Sequence, residues 1–272
     1  MFTSDNLINH FYNSKYYSLK YKNYFPIYEN LFSRFINKEI IFVEIGVLSG
    51  GSLFMWRKFF GNKARIIGID LNNEAKKFEK YGFEIFIGNQ SSEIFWKSFF
   101  EKVGPVDIIL DDGGHTNYQQ IMTSVCSIPN IKDDGILAVE DVYHSYIGGG
   151  FFNPSKYSFI NFCRKIVNDI NFRFPGLNKY KFSLNKFVYS IEFFESFVCF
   201  KINKKLCEIK NEVLYNNGTN IEAKDLTHIH NENTPGSNNF VLKFKKFHKS
   251  FRGNLKYLVF IINVFILKKY FK

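Results

Sequence analysis

The sequence contains no CxxC pair. Its four cysteines, Cys126, Cys163, Cys199 and Cys207, are scattered along 272 residues, which argues against a disulfide framework and for a reduced, cytoplasmic protein. The opening residues, MFTSDNLINHFYNSKYY, lack a basic segment followed by an apolar run, so no export signal is expected. The apolar stretch at 257–267 is too short to span a bilayer. Neither GxGxxG nor a glycine loop ending in Lys-Ser/Thr occurs, and no repeat of domain size is visible.

Charge of one sign is also missing locally. Residues 238–272 hold nine of the 36 Lys/Arg and no Asp or Glu, whereas the rest of the chain is close to neutral. The formal charge of +11 therefore describes a tail rather than a body. This excludes the inference that a basic protein binds nucleic acid, and no nucleic-acid motif is present.

What is present is a chain rich enough in apolar residues, 46%, to bury a sizeable core. Residues 1–37 form an N-terminal helical segment, with YFPIYENLFSRFI its clearest helix. From residue 38 the pattern alternates. EIIFVEIGV, ARIIGIDL, FEIFIGN, VDIILDDG and GILAVEDV read as strands covered on both faces. SLFMWRKFFG, NEAKKFEKYG, SEIFWKSFFEKVG and YQQIMTSVCSIPNI read as the helices between them. Such alternation predicts a doubly wound parallel α/β sheet over 38–207. KFVYSIEFFESFVCFKI adds an antiparallel hairpin at its C-terminal end. A glycine-rich loop at 148–154 precedes a further helix, SFINFCRKIVNDI. Residues 208–240 are polar and Asn-rich, an excursion or linker, and 241–272 form a basic amphipathic tail suited to packing on the protein, an anionic membrane surface or a partner.

Two stretches carry chemistry. In VEIGVLSGGS the first strand hands over to the first helix through Glu44, Gly46, Gly50 and Gly51, with Asp70 ending the second strand. Glycines there let the backbone approach a ligand, and an acid about 20 residues on can bind a ribose diol. The spacing differs from a pyrophosphate-binding loop and favours S-adenosylmethionine, an adenosyl ligand without pyrophosphate. An ordinary strand–helix turn is the plainer alternative.

The second is IILDDGGHTN with LAVEDVYHSY. Asp112, Glu140 and Asp141 stand at the ends of strands expected to be neighbours. Three converging carboxylates would repel strongly unless a hard cation, Mg²⁺, sat among them. His115 follows Asp112 by three residues, and an imidazole titrates near neutrality, as a proton acceptor must. Asp111 either orients the turn or faces the cofactor. Capping of the following turns is the alternative for Asp111 or Asp141. The repeated Asp-x-x-His spacing, with His144, leaves a two-histidine Fe(II) site open.

FVEIGVLSGGSLFMWRKFFG, ARIIGIDL, DIILDDGGH and GILAVEDVYHSY together resemble the macrocin and mycinamicin type of Mg²⁺-dependent sugar O-methyltransferases, whose relatives include cephalosporin hydroxylase-like proteins. The likeness covers residues 38–202. It implies a Rossmann-like methyltransferase fold with S-adenosylmethionine and Mg²⁺ as cofactors. Asp112, Glu140 and Asp141 would be metal ligands and His115 the general base. Glu44, Gly46, Ser52 and Asp70 would surround the methyl donor. The family's GDQS reads GNQS here, so Asn89 stands where relatives carry an acid and would still hydrogen-bond adenosine groups of the cofactor. Glu192 and Glu195 stand where they tend to show His and Asp.

The expected acceptor is a sugar or nucleotide sugar of a bacterial surface polysaccharide. The alternatives are a glycosylated natural product such as a macrolide, an Fe(II)-dependent hydroxylase, and a non-catalytic membrane-associated scaffold. A homo-oligomer is expected, and peripheral association at the inner face of the membrane is open through the tail.

Overall fold

The computed structural model describes residues 5–147, 154–174 and 183–210, with residues 212, 214 and 216–218. The tail at 241–272 and nearly all of the 208–240 excursion lie outside the described residues, as does most of the glycine-rich loop. Contacts divide the chain into Met1–Glu212 and Val213–Lys272. Among the described residues no helix is long and apolar enough to cross a membrane.

Seven strands form one sheet in the order β3-β2-β1-β4-β5-β7-β6. Strands β1 (Ile41–Ile45), β2 (Arg65–Asp70), β3 (Glu84–Ile87), β4 (Val106–Asp111) and β5 (Ile131–Val139) are parallel. β6 (Val188–Phe194) and β7 (Phe197–Ile202) form the hairpin, and β7 pairs antiparallel with β5. The connecting helices are α3 (Gly51–Phe60), α4 (Glu93–Val103), α5 (Asn117–Ser127) and α6 (Phe159–Asn171). The N-terminal segment supplies α1 (Asp5–Tyr12) and α2 (Tyr24–Phe32).

Strand alternation sorts the apolar residues onto two faces. Phe42, Ile108 and Leu110 join one core with Tyr28 and Phe32 of α2 and Trp56 of α3. Val43, Ile45, Val106 and Ile109 join the other, against Trp96, Phe99 and Phe159. The N-terminal helices thus complete one face of the sheet. Glu44, between Val43 and Ile45, points to that same face and is fully buried, which determines its fate in the site.

Two elements differ from the sequence expectation. Residues Asn73–Tyr81 wind as a 3₁₀ helix rather than an α-helix. Only Ala75 and Phe78 are buried there, and an i, i+3 pair lines up on a three-residue turn. β5 begins at Ile131, four residues before the apolar run at GILAV. Its start is hidden by Lys132, Asp133 and Asp134, which face polar partners: Asp133 accepts from the backbone of Lys204, and Asp134 from Asn203.

Candidate active site

The strand order reverses between β1 and β4, and a cleft opens at the carboxyl ends of the strands on either side, where such sheets bind ligands. It encloses about 810 Å³. Gly46 leads off β1, Asp70 ends β2, Gly88 and Gln90 follow β3, Asp112 to His115 follow β4, and Glu140 and Asp141 follow β5. Tyr17, Lys20, Tyr21 and Tyr24 of the N-terminal segment close its remaining side.

The glycine turn is built by Asp70. One carboxylate oxygen accepts from the backbone N–H groups of Val47 and Leu48 (2.9 and 3.1 Å), the other from Asn72 (2.8 Å). Gly46 holds φ +90, and a Cβ there would lie 2.1 Å from the carbonyl oxygen of Asp112. This glycine therefore allows the β1 and β4 turns to touch. The amino end of α3 is covered: Gly51 donates its N–H to the carbonyl of Tyr17 (3.2 Å), and Ser14 Oγ donates to the Gly51 carbonyl (2.7 Å). The amino end of α3 is thus occupied by the chain itself.

Several residues expected around the methyl donor have structural positions away from the cleft. Glu44 is fully buried beneath it, accepting from Ser52 Oγ (2.7 Å) and Trp56 Nε1 (3.0 Å). Gly50 caps α3 in the left-handed region. Asn89 accepts from the Ser91 backbone and shapes the turn before α4. Asp111 is buried, held by Gln90 Nε2 (3.0 and 3.1 Å), and accepts from the N–H of Gly113 (3.2 Å). It orients the turn after β4. Burial pushes its carboxyl above the ordinary range, against these hydrogen bonds.

Asp112, His115 and Asp141 converge in the cleft. One potential ligand atom from each lies within 4.8 Å of the others, and His115 Nε2 is 3.4 Å from Asp141 Oδ2 and 4.0 Å from Asp112 Oδ1. Both His115 and Asp141 hold left-handed backbone, φ +55 and +56, a conformation that costs energy and clusters at functional sites. Tyr24 Oη donates to Asp141 Oδ1 (2.7 Å) and accepts from the Asp141 backbone N–H (3.2 Å), aiming the other oxygen at the cluster. Burial and the Asp141 carboxylate raise the Tyr24 phenol, so it stays a donor.

Metal–oxygen bonds of about 2.1 Å place neighbouring ligand atoms about 3 Å apart and opposite ones about 4.2 Å. The carboxylates of Asp112 and Asp141 would fit a divalent cation over this span, with the His115 imidazole beside it. His144 stays outside the set, stacked on His115 with ring centroids 5.4 Å apart. The donors gathered are thus two carboxylates and one histidine, the reverse of the two-histidine iron set.

Glu140 is turned away from this cluster. Its carboxylate accepts from Tyr28 Oη (2.5 Å) and from Lys20 Nζ (3.2 Å to each oxygen). Lys20 Nζ also lies 2.5 Å from Asp112 Oδ2 and 3.6 Å from Glu44 Oε1, with its side chain 1% exposed. Burial alone would lower the Lys20 ammonium, but Asp112, Glu140 and Glu44 outweigh it and raise it. Burial likewise pushes Glu140 and Glu44 above the carboxylate range, since one ammonium only partly offsets three acids. Lys20, Tyr24, Tyr28 and Gln90 were not legible as site residues. A lysine in SLKYKNYF looks solvated, and the aromatics around it follow no period.

A second hollow, about 550 Å³, adjoins the first at Tyr21 and Tyr24. Tyr143, Tyr146, Phe193 and Glu195 line it.

A nucleoside-sized cleft at the switch point of a sheet ordered 3-2-1-4-5-7-6 is the class I, S-adenosylmethionine-dependent methyltransferase fold. Its solved likenesses include the MycE methyltransferase from the mycinamycin biosynthetic pathway in complex with Mg and SAH, with a TM-score of 0.63 and 20% identity over 74% of this chain and 54% of that one. The homologues of the chain are sugar O-methyltransferases of the macrocin and mycinamicin type. Demethylmacrocin O-methyltransferase of Streptomyces fradiae is 30% identical over 48% of this chain and 35% of its own. Mycinamicin VI 2''-O-methyltransferase of Micromonospora griseorubida is 28% identical over 46% and 32%. An 8-demethyl-8-alpha-L-rhamnosyl tetracenomycin-C 2'-O-methyltransferase of Streptomyces olivaceus is 26% identical over 54% and 41%. The chain thus spans less than half the length of these curated relatives. No protein-family model matches it.

Proposed function

We propose that the protein transfers a methyl group from S-adenosylmethionine to a sugar hydroxyl with the help of Mg²⁺. The observation that carries this reading is the convergence of Asp112, His115 and Asp141 at the acceptor end of a methyltransferase cleft. Asp112 and Asp141 would hold the cation. Bound there, it would supply a Lewis acid that makes a neighbouring hydroxyl more acidic.

The chain's own residues do the remainder. Tyr24 fixes Asp141, and Gly46 lets the Asp112 turn sit against the β1 turn. His115, beside both carboxylates, takes the hydroxyl proton as the oxygen attacks the sulfonium methyl in line. S-adenosylhomocysteine and the methyl ether are the products. Enclosure between the N-terminal segment and the strand ends orients both substrates and limits water.

The acceptor reading shifts from a surface polysaccharide to a sugar carried on a natural product. The named relatives act on glycosides of tetracenomycin, macrocin and mycinamicin type. The aromatic hollow beside the site offers Tyr143, Tyr146 and Phe193 to the apolar surface of such an aglycone. Incubating the protein with labelled S-adenosylmethionine and three acceptor sets (glycosylated polyketides, nucleotide sugars, surface polysaccharide) tests this. Label is expected in the first set; label confined to the polymer would restore the polysaccharide.

A further inference from the structure

The second hollow is walled by aromatic rings and carries one acid. Tyr21 and Tyr24 line it from the N-terminal segment, Tyr143 and Tyr146 from the residues after β5, Phe193 near the end of β6 and Glu195 in the β6–β7 turn. Tyr21 lies at 75° to Tyr24 and at 89° to Tyr143, with ring centroids 5.6 and 6.1 Å apart, so the rings meet as walls rather than as a stack. The Tyr24 hydroxyl is taken up by Asp141 and by the Ser196 carbonyl, which leaves its ring, not a hydrogen bond, for a ligand. Tyr21, Tyr146 and Phe193 are each nearly half exposed. Among the described residues no Lys, Arg or His lines the hollow, and its one charged side chain is Glu195. Ring faces are the negative side of an aromatic quadrupole. Walls and acid therefore favour the same sign of ligand charge.

We propose that this hollow binds an alkylated ammonium group, and that the protein thereby selects acceptors carrying such an amine beside the sugar that is methylated. The choice of acceptor rests on the sugar-methylation reading. An ammonium clothed in alkyl groups spreads its charge over a surface that packs on aromatic faces. A primary ammonium is compact and strongly hydrated, and gives up more water to enter. A wholly neutral aglycone covers Glu195 without supplying it a partner. The hollow and the main cleft share Tyr21 and Tyr24, and Tyr24 holds Asp141. One acceptor can thus extend from the reacting hydroxyl into the aromatic cage.

The test is binding of choline to the full chain beside its uncharged carbon isostere, in which a tert-butyl group replaces the trimethylammonium. Saturation-transfer NMR on the methyl signal reads both. Choline is expected to bind at least about tenfold more tightly than the isostere. Glu195→Gln is expected to weaken choline by about fivefold and leave the isostere unchanged. Phe193→Leu is expected to weaken choline by about threefold. Choline binding no tighter than the isostere, or a Glu195→Gln loss that is absent or shared by both probes, overturns the inference. Acceptor choice is read from KM for a glycosylated polyketide bearing a dimethylamino group and for its hydroxyl counterpart. The amine is expected to lower KM by about fivefold in the wild type and to lose that advantage in Glu195→Gln. Equal KM values overturn the inference while leaving sugar methylation standing. Methylation of neither compound, with choline held through Glu195, overturns the sugar-methylation reading and leaves the ammonium site.

Discussion

His115 and Asp141 meet across the cleft, Nε2 to Oδ2 at 3.4 Å, and each does so from left-handed backbone. β4 and β5 end in parallel register, Asp111 opposite Val139, so continued strand geometry would carry the two side chains past one another. The turns in αL conformation point them at a common space instead.

His115→Asn follows from this. Asparagine tolerates a positive φ, so the fold and the binding of S-adenosylhomocysteine are expected to persist. Methyl transfer is expected to fall by about 10²- to 10⁴-fold, the usual worth of a general base. Steady-state kinetics beside calorimetric titration of the cofactor product checks the split, and full transfer by the variant would remove His115 from the reaction.

Gly46→Ala places a Cβ 2.1 Å from the Asp112 carbonyl oxygen at a φ of +90. Strained backbone of this kind costs about 1–3 kcal/mol, and either the Asp112 turn or the β1 turn must move to relieve the clash. Urea unfolding is expected to show a loss of at least that size together with weaker divalent-cation binding. A variant as stable as the wild type would mean that the two turns are not in contact.

Trp56→Phe removes the indole N–H that Glu44 accepts at 3.0 Å in full burial. A hydrogen bond lost from a buried carboxylate costs about 1–3 kcal/mol, and the cavity left by the smaller ring adds to the loss. Chemical denaturation measures this directly, and an unchanged midpoint would deny Trp56 any part in holding Glu44.

Asp169 supplies a pH signature away from the site. It is buried on α6, neither carboxylate oxygen has a hydrogen-bond partner among the described residues, and burial raises its carboxyl against the pull of Lys165. A carboxyl raised on folding binds more protons in the native state, so stability falls as pH rises from the unfolded value, about 3.9, through the folded one. Asp169→Asn is therefore expected to be more stable than the wild type near neutrality, by about 1 kcal/mol. That gain is expected to vanish in acid below the unfolded carboxyl range. Thermal melts across pH check the sign, and equal stability at pH 7 would contradict it.

The strands of the sheet, and the places where they end in acids or glycine, were legible because a buried parallel strand is a continuous apolar run. Where the side chains beyond the strands point was not. Glu140 and Asp141 are adjacent in sequence and read alike as candidate ligands; the left-handed turn at Asp141 sends one to Lys20 and Tyr28 and the other to His115. Lys20 escaped notice because it lies between helices, where no periodicity marks burial. The 3₁₀ segment at Asn73–Tyr81 escaped because its pair of buried residues, Ala75 and Phe78, fits both helical pitches.

The central claim is cation-assisted methylation of a sugar hydroxyl, and the most direct test is transfer of labelled methyl to a glycosylated polyketide in Mg²⁺ and in EDTA. The account predicts transfer in Mg²⁺, with loss in EDTA and in Asp112→Ala while S-adenosylhomocysteine still binds. Undiminished transfer in EDTA would contradict it.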